Sequence, residues 1–246
     1  MNTVITLTER VVRGTMRDFD LLIAVLAPVS TFIGFTFVLQ HVIDTGSMSY
    51  SQYIVPAIVV QSILFGALTT ADRASRDESS GFGRRVRTLP IPQLIPLVAR
   101  MLYCLLRSVV VIVATVAVAY LFGFRLAGGF AYSIAFVVIA LVLALALSLG
   151  ADALGTWSKR RDSSQLLLIP SLSLVLLSTG MAPATAFPGW VQPFVRSQPV
   201  SVVTESMRGF TDGSIAGGNL AISVAWCAVL LLVFGGIAIR QQRRTG

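Results

Sequence analysis

Residues 72–92 read DRASRDESSGFGRRVRTLPIP and lie between two long apolar segments. The stretch carries five arginines and three acidic residues. Because short loops rich in arginine stay on the cytoplasmic side of a membrane, we expect residues 72–93 to connect two spans on the inner side. The density of charge, with a short helix broken at Ser79-Ser80-Gly81, also predicts a surface that contacts another protein.

The composition outside this stretch is typical of a polytopic membrane protein. Apolar residues make up 55% of the 246 residues and charged residues only 12%, whereas a soluble domain carries roughly a quarter charged residues. A span needs about 20 apolar residues, and six segments are long enough. The sequence therefore predicts an all-α integral membrane domain over residues 1–246, with spans at Leu21–Gln40, Tyr53–Ala71, Leu94–Phe124, Leu126–Ala151, Ser163–Met181 and Gly213–Ile239.

The net charge of +8 raises the question of nucleic-acid binding, but the distribution of the basic residues favours a membrane. Sixteen of the nineteen basic residues fall at or near the predicted inner ends of spans, and only Arg125, Arg196 and Arg208 fall outside. Such an asymmetry predicts six spans with both termini in the cytoplasm of a cell-membrane protein. The inner arginines are expected to contact anionic lipids, and no nucleic-acid partner is expected.

Residues 1–20 have the pattern of an amphipathic helix. Apolar residues fall near one face, and Arg10, Arg13 and Arg17 fall on another. Such a helix lies along the membrane surface with its arginines toward the headgroups. A frayed cytoplasmic tail is the alternative.

Charged residues also occur inside the predicted third span and at the inner end of the fourth. Arg100 and Arg107 are seven residues apart, so they share one helix face about 10 Å apart along the axis. Either both side chains snorkel to the inner headgroups, or Arg107 faces a cavity or a neighbouring span. Asp152, at the inner end of the fourth span, is expected to pair with the basic run 159–161.

The segment 182–212 is apolar, but its prolines prevent one straight helix. Irregular backbone at membrane depth must be buried in protein or face water, which short helices re-entering from the outer side would satisfy. Trp190 fits the aromatic belt at the membrane interface. Residues 201–210 are predicted to form a second short helix, on which Glu205 and Arg208 are three residues apart and able to pair.

Sequence motifs for catalysis are missing. The Gly-x4-Gly-Lys-Ser/Thr loop that binds nucleotide phosphates does not occur, and the single lysine, Lys159, stands in a different context. Cys104 and Cys227 lack metal-ligand spacing and are interpreted as small packing residues. We therefore expect a protein that is not an enzyme and holds no cofactor or metal of its own.

Three stretches resemble the membrane subunits of type-2 ABC exporters, and most closely the daunorubicin-resistance type of permease. The first is Tyr53–Pro56 followed by Arg76–Gly81 and Arg87–Pro90; the second is Phe187–Trp190 with Gln198–Ser201; the third is Glu205–Phe210. Their order and their placement relative to the spans cover essentially the whole chain. Gln198 stands where the wider family usually has asparagine, which retains the amide group.

The resemblance implies a permease that exports a hydrophobic drug-like compound or a complex lipid. ATP and Mg²⁺ would be bound by a separate ATPase subunit, and a second permease copy or a paralogue would complete the pathway. A coupling helix near Ala74–Arg85 would contact the ATPase, and part of segment 182–212 would form an outer gate. The coupling residues are Arg76, Asp77, Glu78, Ser79, Gly81, Arg84 and Arg85; the gate residues are Pro183, Phe187, Pro188, Trp190, Pro199, Glu205 and Arg208.

Other functions remain open at the level of the sequence. A secondary carrier would work without an ATPase, although no acidic residue lies in the middle of a predicted span, where ion-coupled carriers usually place one. The same ABC architecture could export a polysaccharide. A purely structural membrane subunit is a third alternative.

Overall fold

The computed structural model describes residues 20–40, 48–80, 94–158, 163–214 and 217–244. In these residues all regular secondary structure is helical, which confirms the predicted all-α class. The predicted surface helix lies outside them, except for Asp20. The α-helices are α1 (Asp20–Leu39), α2 (Tyr50–Ser79), α3 (Ile95–Leu121), α4 (Phe130–Ser158), α5 (Ser163–Leu176), α6 (Gln192–Ser197), α7 (Pro199–Asp212) and α8 (Gly217–Arg244).

Five of the described helices are long and apolar enough to cross a membrane: α1, α2, α3, α4 and α8. The fifth predicted span, residues 163–181, instead contains the 14-residue helix α5. At 1.5 Å per residue α5 is about 21 Å long, less than the roughly 30 Å of a hydrocarbon core. The helix ends at Leu176, and the chain continues through turns around Ser178 and Gly180.

Helix α2 is longer than the sequence predicts. It begins at a capping box, in which Ser49 accepts a hydrogen bond from the Gln52 amide and the Gln52 side chain accepts one from the Ser49 amide. It then runs for 30 residues to Ser79, about 45 Å. Residues 72–79 of the predicted loop therefore continue this helix, and residues 74–79 are not part of a separate coupling helix. Residues 81–93 lie outside the described part of the chain.

Helix α2 is also the central helix of the bundle. In its most apolar stretch 78% of the residues are buried, against 17% for α8. Small residues let α4 approach α2 closely: a side chain at Gly155 would clash with the backbone carbonyl of Ala71, and Ala67, Ala71 and Ala151 form an apolar cluster beside it. Close approach through small residues is the usual way helices pack in a membrane.

The segment after α5 folds as two short helices, α6 and α7, preceded by a 3-10 turn at Ala184–Ala186. Pro199 stands in the first turn of α7. Amides in a first turn have no acceptor within the helix, so a proline, which lacks the amide hydrogen, is well tolerated there. Gly213 ends α7 with φ +74°, a left-handed conformation that favours glycine. The predicted short helices of this segment are thus present in the described residues, at 192–197 and 199–212.

Candidate functional site

Charged side chains connect helices at the end of the bundle that carries Ser79. We call this the inner end, following the predicted orientation, and the end that carries Tyr50 the outer end. At the inner end Arg100 of α3 contacts Asp152 of α4 with two hydrogen bonds, at 2.6 and 3.1 Å. The Arg100 guanidinium also lies 3.8 Å from the Asp77 carboxylate of α2. Asp152 is only 2% exposed and forms a buried pair with Arg100, whereas its predicted partners at 159–161 lie outside the described residues.

A second ion pair joins α1 to α2 at the same end. Arg73 of α2 donates a hydrogen bond of 2.6 Å to Asp20, the first residue of α1. The Arg73 guanidinium carbon lies 4.5 Å from the centre of the Tyr103 ring of α3, a cation–π geometry. The inner ends of α1, α2, α3 and α4 are therefore held together by two arginines and their carboxylates.

The predicted coupling residues occupy the last turn of α2 and the chain beyond it. Arg76 and Ser79 are exposed, and Asp77 and Glu78 are half-buried. The Ser79 hydroxyl and the Ser80 amide both donate to the Arg76 carbonyl, which closes the helix end. Gly81, Arg84 and Arg85 lie outside the described residues. Four of the seven coupling residues thus form one exposed helix end beside the buried pair of Arg100 and Asp152.

At the outer end, helices α6 and α7 form what we call the outer cap, residues 192–212. Arg208 of α7 is its central polar residue. The Arg208 guanidinium donates to the backbone carbonyls of Tyr53, Thr179 and Gly180 at 2.9 to 3.0 Å. It also lies 3.7 Å from the centre of the Tyr53 ring, and the Tyr53 hydroxyl donates to the Thr179 carbonyl. Arg208 therefore joins the cap to the outer end of α2 and to the turn after α5.

The predicted pair between Glu205 and Arg208 does not form. Arg208 directs its donors to carbonyls across the bundle, whereas Glu205 lies 3.4 Å from the Asn219 amide nitrogen of α8. Burial lowers the pKa of Arg208, while Tyr53 and Glu205 oppose that change. An arginine remains charged nonetheless, so a full positive charge is held by three carbonyls and a ring face.

Gln198 fixes the start of α7. Its side-chain amide donates to the carbonyls of Leu174 and Leu177, at the end of α5, and to the Ser201 hydroxyl. Ser201 in turn accepts a hydrogen bond from the Thr179 amide at 3.0 Å. The side-chain amide of Gln198 thus satisfies carbonyls that the end of α5 leaves without helical partners. An asparagine at this position would carry the same amide on a side chain one methylene shorter.

The other side of α7 is fixed to α8 and to the turn between α3 and α4. Ser206 and Ser223 of α8 share a hydrogen bond of 2.7 Å. The Thr211 carbonyl accepts hydrogen bonds from the amides of Ala127 and Gly128. With Arg208 and Gln198, these contacts join α7 to α2, to the end of α5, to α8 and to the turn between α3 and α4.

The predicted gate residues divide into two groups. Pro199, Glu205 and Arg208 belong to α7 and are buried or half-buried in the cap. The residues of the preceding loop are more open: Pro183 and Pro188 are exposed, Phe187 is half-buried, and Trp190 is 85% exposed. The structure therefore places these seven residues at one end of the bundle, in a fixed helix and a projecting loop.

Arg107 lies away from both ends. Its guanidinium packs against Gly66 of α2, where a side-chain carbon would come within 2.6 Å of Nη1. Gly66 stands eleven residues before Asp77 in α2, about 16 Å outward along the helix. The side chain therefore does not snorkel to the inner surface, the first of the two sequence interpretations. Its Nε atom is buried without a hydrogen-bond partner.

Several residues of these sites were not identified from the sequence. Tyr53 was noticed only as part of a motif, and Thr179 and Gly180 only as the end of a span. Their backbone carbonyls bind Arg208, and a pattern of side chains in the sequence does not indicate which backbone carbonyls will accept a hydrogen bond. The pairs Arg73–Asp20 and Arg100–Asp152 leave a weak signal, because each joins opposite charges at the same predicted depth in neighbouring spans.

Comparison with known proteins gives relatives along most of the chain. A probable doxorubicin resistance ABC transporter permease, DrrC of Mycobacterium tuberculosis, is 26% identical over 230 residues, which are 92% of this chain and 83% of that protein. A daunorubicin resistance ABC transporter permease, DrrB1 of Streptomyces coeruleorubidus, is 26% identical over 89% of this chain and 78% of that protein. A doxorubicin resistance permease, DrrB of M. tuberculosis, is 30% identical over 71% of this chain and 60% of that protein.

The family comparison covers helices α1 to α5 and the outer cap up to Phe210. Residues 2–210 match the ABC-2 type transporter family, and the described part of that range holds both the inner charged end and Arg208. The chain therefore belongs to the ABC-2 type transporter family.

Proposed function

We propose that this chain is the transmembrane permease subunit of an ABC exporter that moves hydrophobic, drug-like compounds out of the cell. Membership of the ABC-2 family and the three drug-resistance permeases among its relatives support this function. A separate ATPase subunit would bind ATP and Mg²⁺ and supply the energy.

The observation that carries the proposed mechanism is the continuity of α2. One helix of 30 residues connects the exposed, charged turn at Arg76–Ser79 with the outer end, where the Tyr53 carbonyl binds Arg208 of the cap. A movement that the ATPase imposes on the inner turn would pass along a rigid helix to the outer cap, about 35–40 Å away. The pairs of Asp77 and Asp152 with Arg100 would spread that movement to α3 and α4.

In this mechanism the coupling surface and the gate have separate parts. The turn with Arg76, Asp77, Glu78 and Ser79, continued by Gly81, Arg84 and Arg85, receives the ATPase. The α7 helix transmits the movement, and the loop with Pro183, Phe187, Pro188 and Trp190 covers the outer opening. The contrast between a firmly bonded α7 and an exposed loop supports this division.

We also propose a location in the cell membrane with six crossings and both termini in the cytoplasm. Helix α5 is short for a crossing, but the turns at 177–181 extend the chain toward the outer end, where Thr179 and Gly180 meet Arg208. The basic residues at the inner ends support the orientation. A second permease, either another copy or a paralogue, would complete the pathway beside this chain.

Accumulation of fluorescent amphiphiles in cells tests the function. A bacterial host that expresses the chain together with its ATPase should accumulate less of at least one neutral, basic or acidic dye than a host that expresses the ATPase alone. Replacing the catalytic glutamate of the ATPase should restore accumulation. Equal accumulation of every dye in all strains would contradict export.

A further inference from the structure

The inner half of the interface of α2, α3 and α4 contains polar residues in layers. In the innermost layer Arg100 binds Asp152 and lies near Asp77. In the next layer the Cys104 sulfur lies 3.2 Å from the Thr70 hydroxyl, and Ser148 of α4 hydrogen-bonds to the same sulfur. Arg107 occupies the third layer, beside Gly66. Each layer joins residues from at least two helices, so the polar groups form a continuous column toward the membrane centre.

Arg107 lies at the deepest point of this column. It is the thirteenth of the 27 residues of α3, which leaves about 18 Å of helix on the inner side and 21 Å on the outer side. A cation at this depth is costly and usually marks a substrate or ion pathway. The depth of Gly66, against which the guanidinium packs, shows that the charge itself is held there.

The charge of Arg107 has no counterion in the structure. In the described residues, Arg73 and Arg100 each have a carboxylate at 2.6 Å, whereas no carboxylate lies within ion-pair distance of Arg107. The buried Nε donor is likewise without an acceptor. Gly66 contributes to this arrangement, because any larger side chain there would occupy the place of the guanidinium.

The described acidic residues of a second copy of this chain would not supply the counterion. The acidic residues of the described helices are Asp20, Asp72, Asp77, Glu78, Asp152, Glu205 and Asp212. They stand at the inner ends or in the outer cap, and the deepest of them, Asp152, is already bound to Arg100. None of these described acidic residues is therefore placed to supply the missing negative charge.

We propose that Arg107 is a binding site for the acidic group, a carboxylate or a phosphate, of an amphipathic compound transported by this permease. The inference rests on the proposed export function and adds the substrate class. A guanidinium can give two parallel hydrogen bonds to such a group, and among the described residues the Arg107 guanidinium has no carboxylate partner. The apolar part of the compound would lie along the surrounding helices at the membrane centre.

Binding to the purified permease in nanodiscs, without ATPase or ATP, tests this site. The probes are pyrenedodecanoic acid, at a pH at which it is ionised, and its methyl ester, detected by energy transfer from the protein's tryptophans. We expect the wild type to bind the acid roughly 10- to 100-fold more tightly than the ester, as expected for one charged hydrogen-bonded contact. Arg107→Gln should abolish that preference, and Arg107→Lys should keep part of it.

Two further variants make the test robust. Gly66→Val should displace the guanidinium and reduce the preference even if Arg107→Gln folds poorly. Arg240→Gln, which removes an exposed cation at the end of α8, should retain the wild-type preference. An equal affinity of the wild type for acid and ester, or an unchanged preference in a folded Arg107→Gln or Gly66→Val protein, would overturn the proposal.

Changing the lipid composition of the nanodiscs tests whether Arg107 binds a transported amphiphile or a lipid headgroup. The preference for the acid should persist in nanodiscs of phosphatidylglycerol, because headgroups lie at the membrane surface. Loss of the preference for the acid in phosphatidylglycerol nanodiscs would overturn the proposal and indicate that Arg107 binds an anionic lipid. Since binding is measured without ATP, a failure here leaves ATP-driven export standing, and a failure of export leaves the binding result standing.

Discussion

Arg208 and Tyr53 are 155 residues apart in the chain and meet at the outer end of the bundle, where the guanidinium covers the tyrosine ring and donates to the tyrosine carbonyl at 2.9 Å. The contact connects α7 of the outer cap to α2, the helix that also forms the inner charged turn. Two more carbonyls, of Thr179 and Gly180, complete the coordination. Arg208 therefore joins the outer cap to the helix that carries the inner turn.

Replacement of Arg208 by alanine should destabilise the protein. Three buried carbonyls would lose a hydrogen bond from a charged donor, although the Thr179 carbonyl keeps the one from the Tyr53 hydroxyl. Unpaired buried groups cost roughly 1–3 kcal/mol each, so we expect a loss of roughly 2 kcal/mol or more. Arg208→Lys should recover only part of it, since an ammonium cannot reproduce the planar fork. The midpoint of unfolding in detergent measures the effect.

Arg196→Ala is the matched control, because Arg196 is exposed on α6 and exposed substitutions usually change stability by less than about 0.5 kcal/mol. Unfolding midpoints that are equal for Arg208→Ala and Arg196→Ala would show that the cap does not depend on Arg208.

The two carboxylates near Arg100, those of Asp152 and Asp77, should contribute unequally to the free energy of unfolding. Asp152→Ala would leave a buried guanidinium without its main partner, which costs about 3–5 kcal/mol for a buried pair. Asp77 is 3.8 Å away with a side chain 41% exposed, so Asp77→Ala should cost only about 0–1 kcal/mol. Unfolding of both variants, with Arg100→Ala to complete the cycles, measures the difference. A larger loss for Asp77→Ala than for Asp152→Ala would contradict the geometry.

The helices themselves were predictable because their signal is local. Apolar stretches of membrane-spanning length marked α1, α2, α3, α4 and α8, since each needs only its own composition to be stable in a bilayer; only the stretch of α3 contains charged residues, Arg100 and Arg107. The extension of α2 to Ser79 was not predictable, because its charged last turns look like a loop when the neighbouring helices are unknown. The end of α5 at Leu176 was not predictable either: residues 177–181 are apolar enough for a span, but backbone groups of Thr179 and Gly180 bind the cap instead of continuing the helix.

The partners of charged residues were harder to predict than their positions. The sequence placed Arg208, Glu205 and Asp152 at the correct ends of the bundle, yet it predicted local partners for each of them. In the structure Arg208 and Asp152 bind groups more than 25 residues away. Nearest-neighbour rules describe an isolated helix, whereas a buried charge is satisfied by whichever polar groups the fold brings to it.

The orientation predicts which side of the membrane each end faces. Cysteines introduced at Ser80 and at Gly189, both exposed, should react with a membrane-impermeant maleimide from opposite sides, Ser80 from the cytoplasm. The natural residues Cys104 and Cys227 are buried and should give a low background. Labelling of both positions from one side would rule out six crossings.

Glu78 should contribute to binding of the ATPase. It stands in the last turns of α2, and a charge-assisted contact with a basic groove on the partner would contribute about 1.5–3 kcal/mol. Glu78→Ala should therefore weaken co-purification of the ATPase roughly tenfold or more, and Glu78→Lys more strongly, with little change in the unfolding midpoint. Arg125→Ala, at the opposite end of the bundle, is the control. Normal co-purification of both Glu78 variants would show that Glu78 does not contribute to ATPase binding, and would leave the charges of this turn with a role in membrane topology alone.

ATP-driven transport into inside-out vesicles that contain the purified permease and its ATPase tests the central claim most directly. With neutral, basic and acidic fluorescent amphiphiles, we predict that at least one accumulates with ATP and Mg²⁺ but not with ADP, and that Glu78→Lys reduces this accumulation severalfold or more at equal protein. Accumulation of the same size without ATP, or without the ATPase, would contradict the account and indicate a secondary carrier.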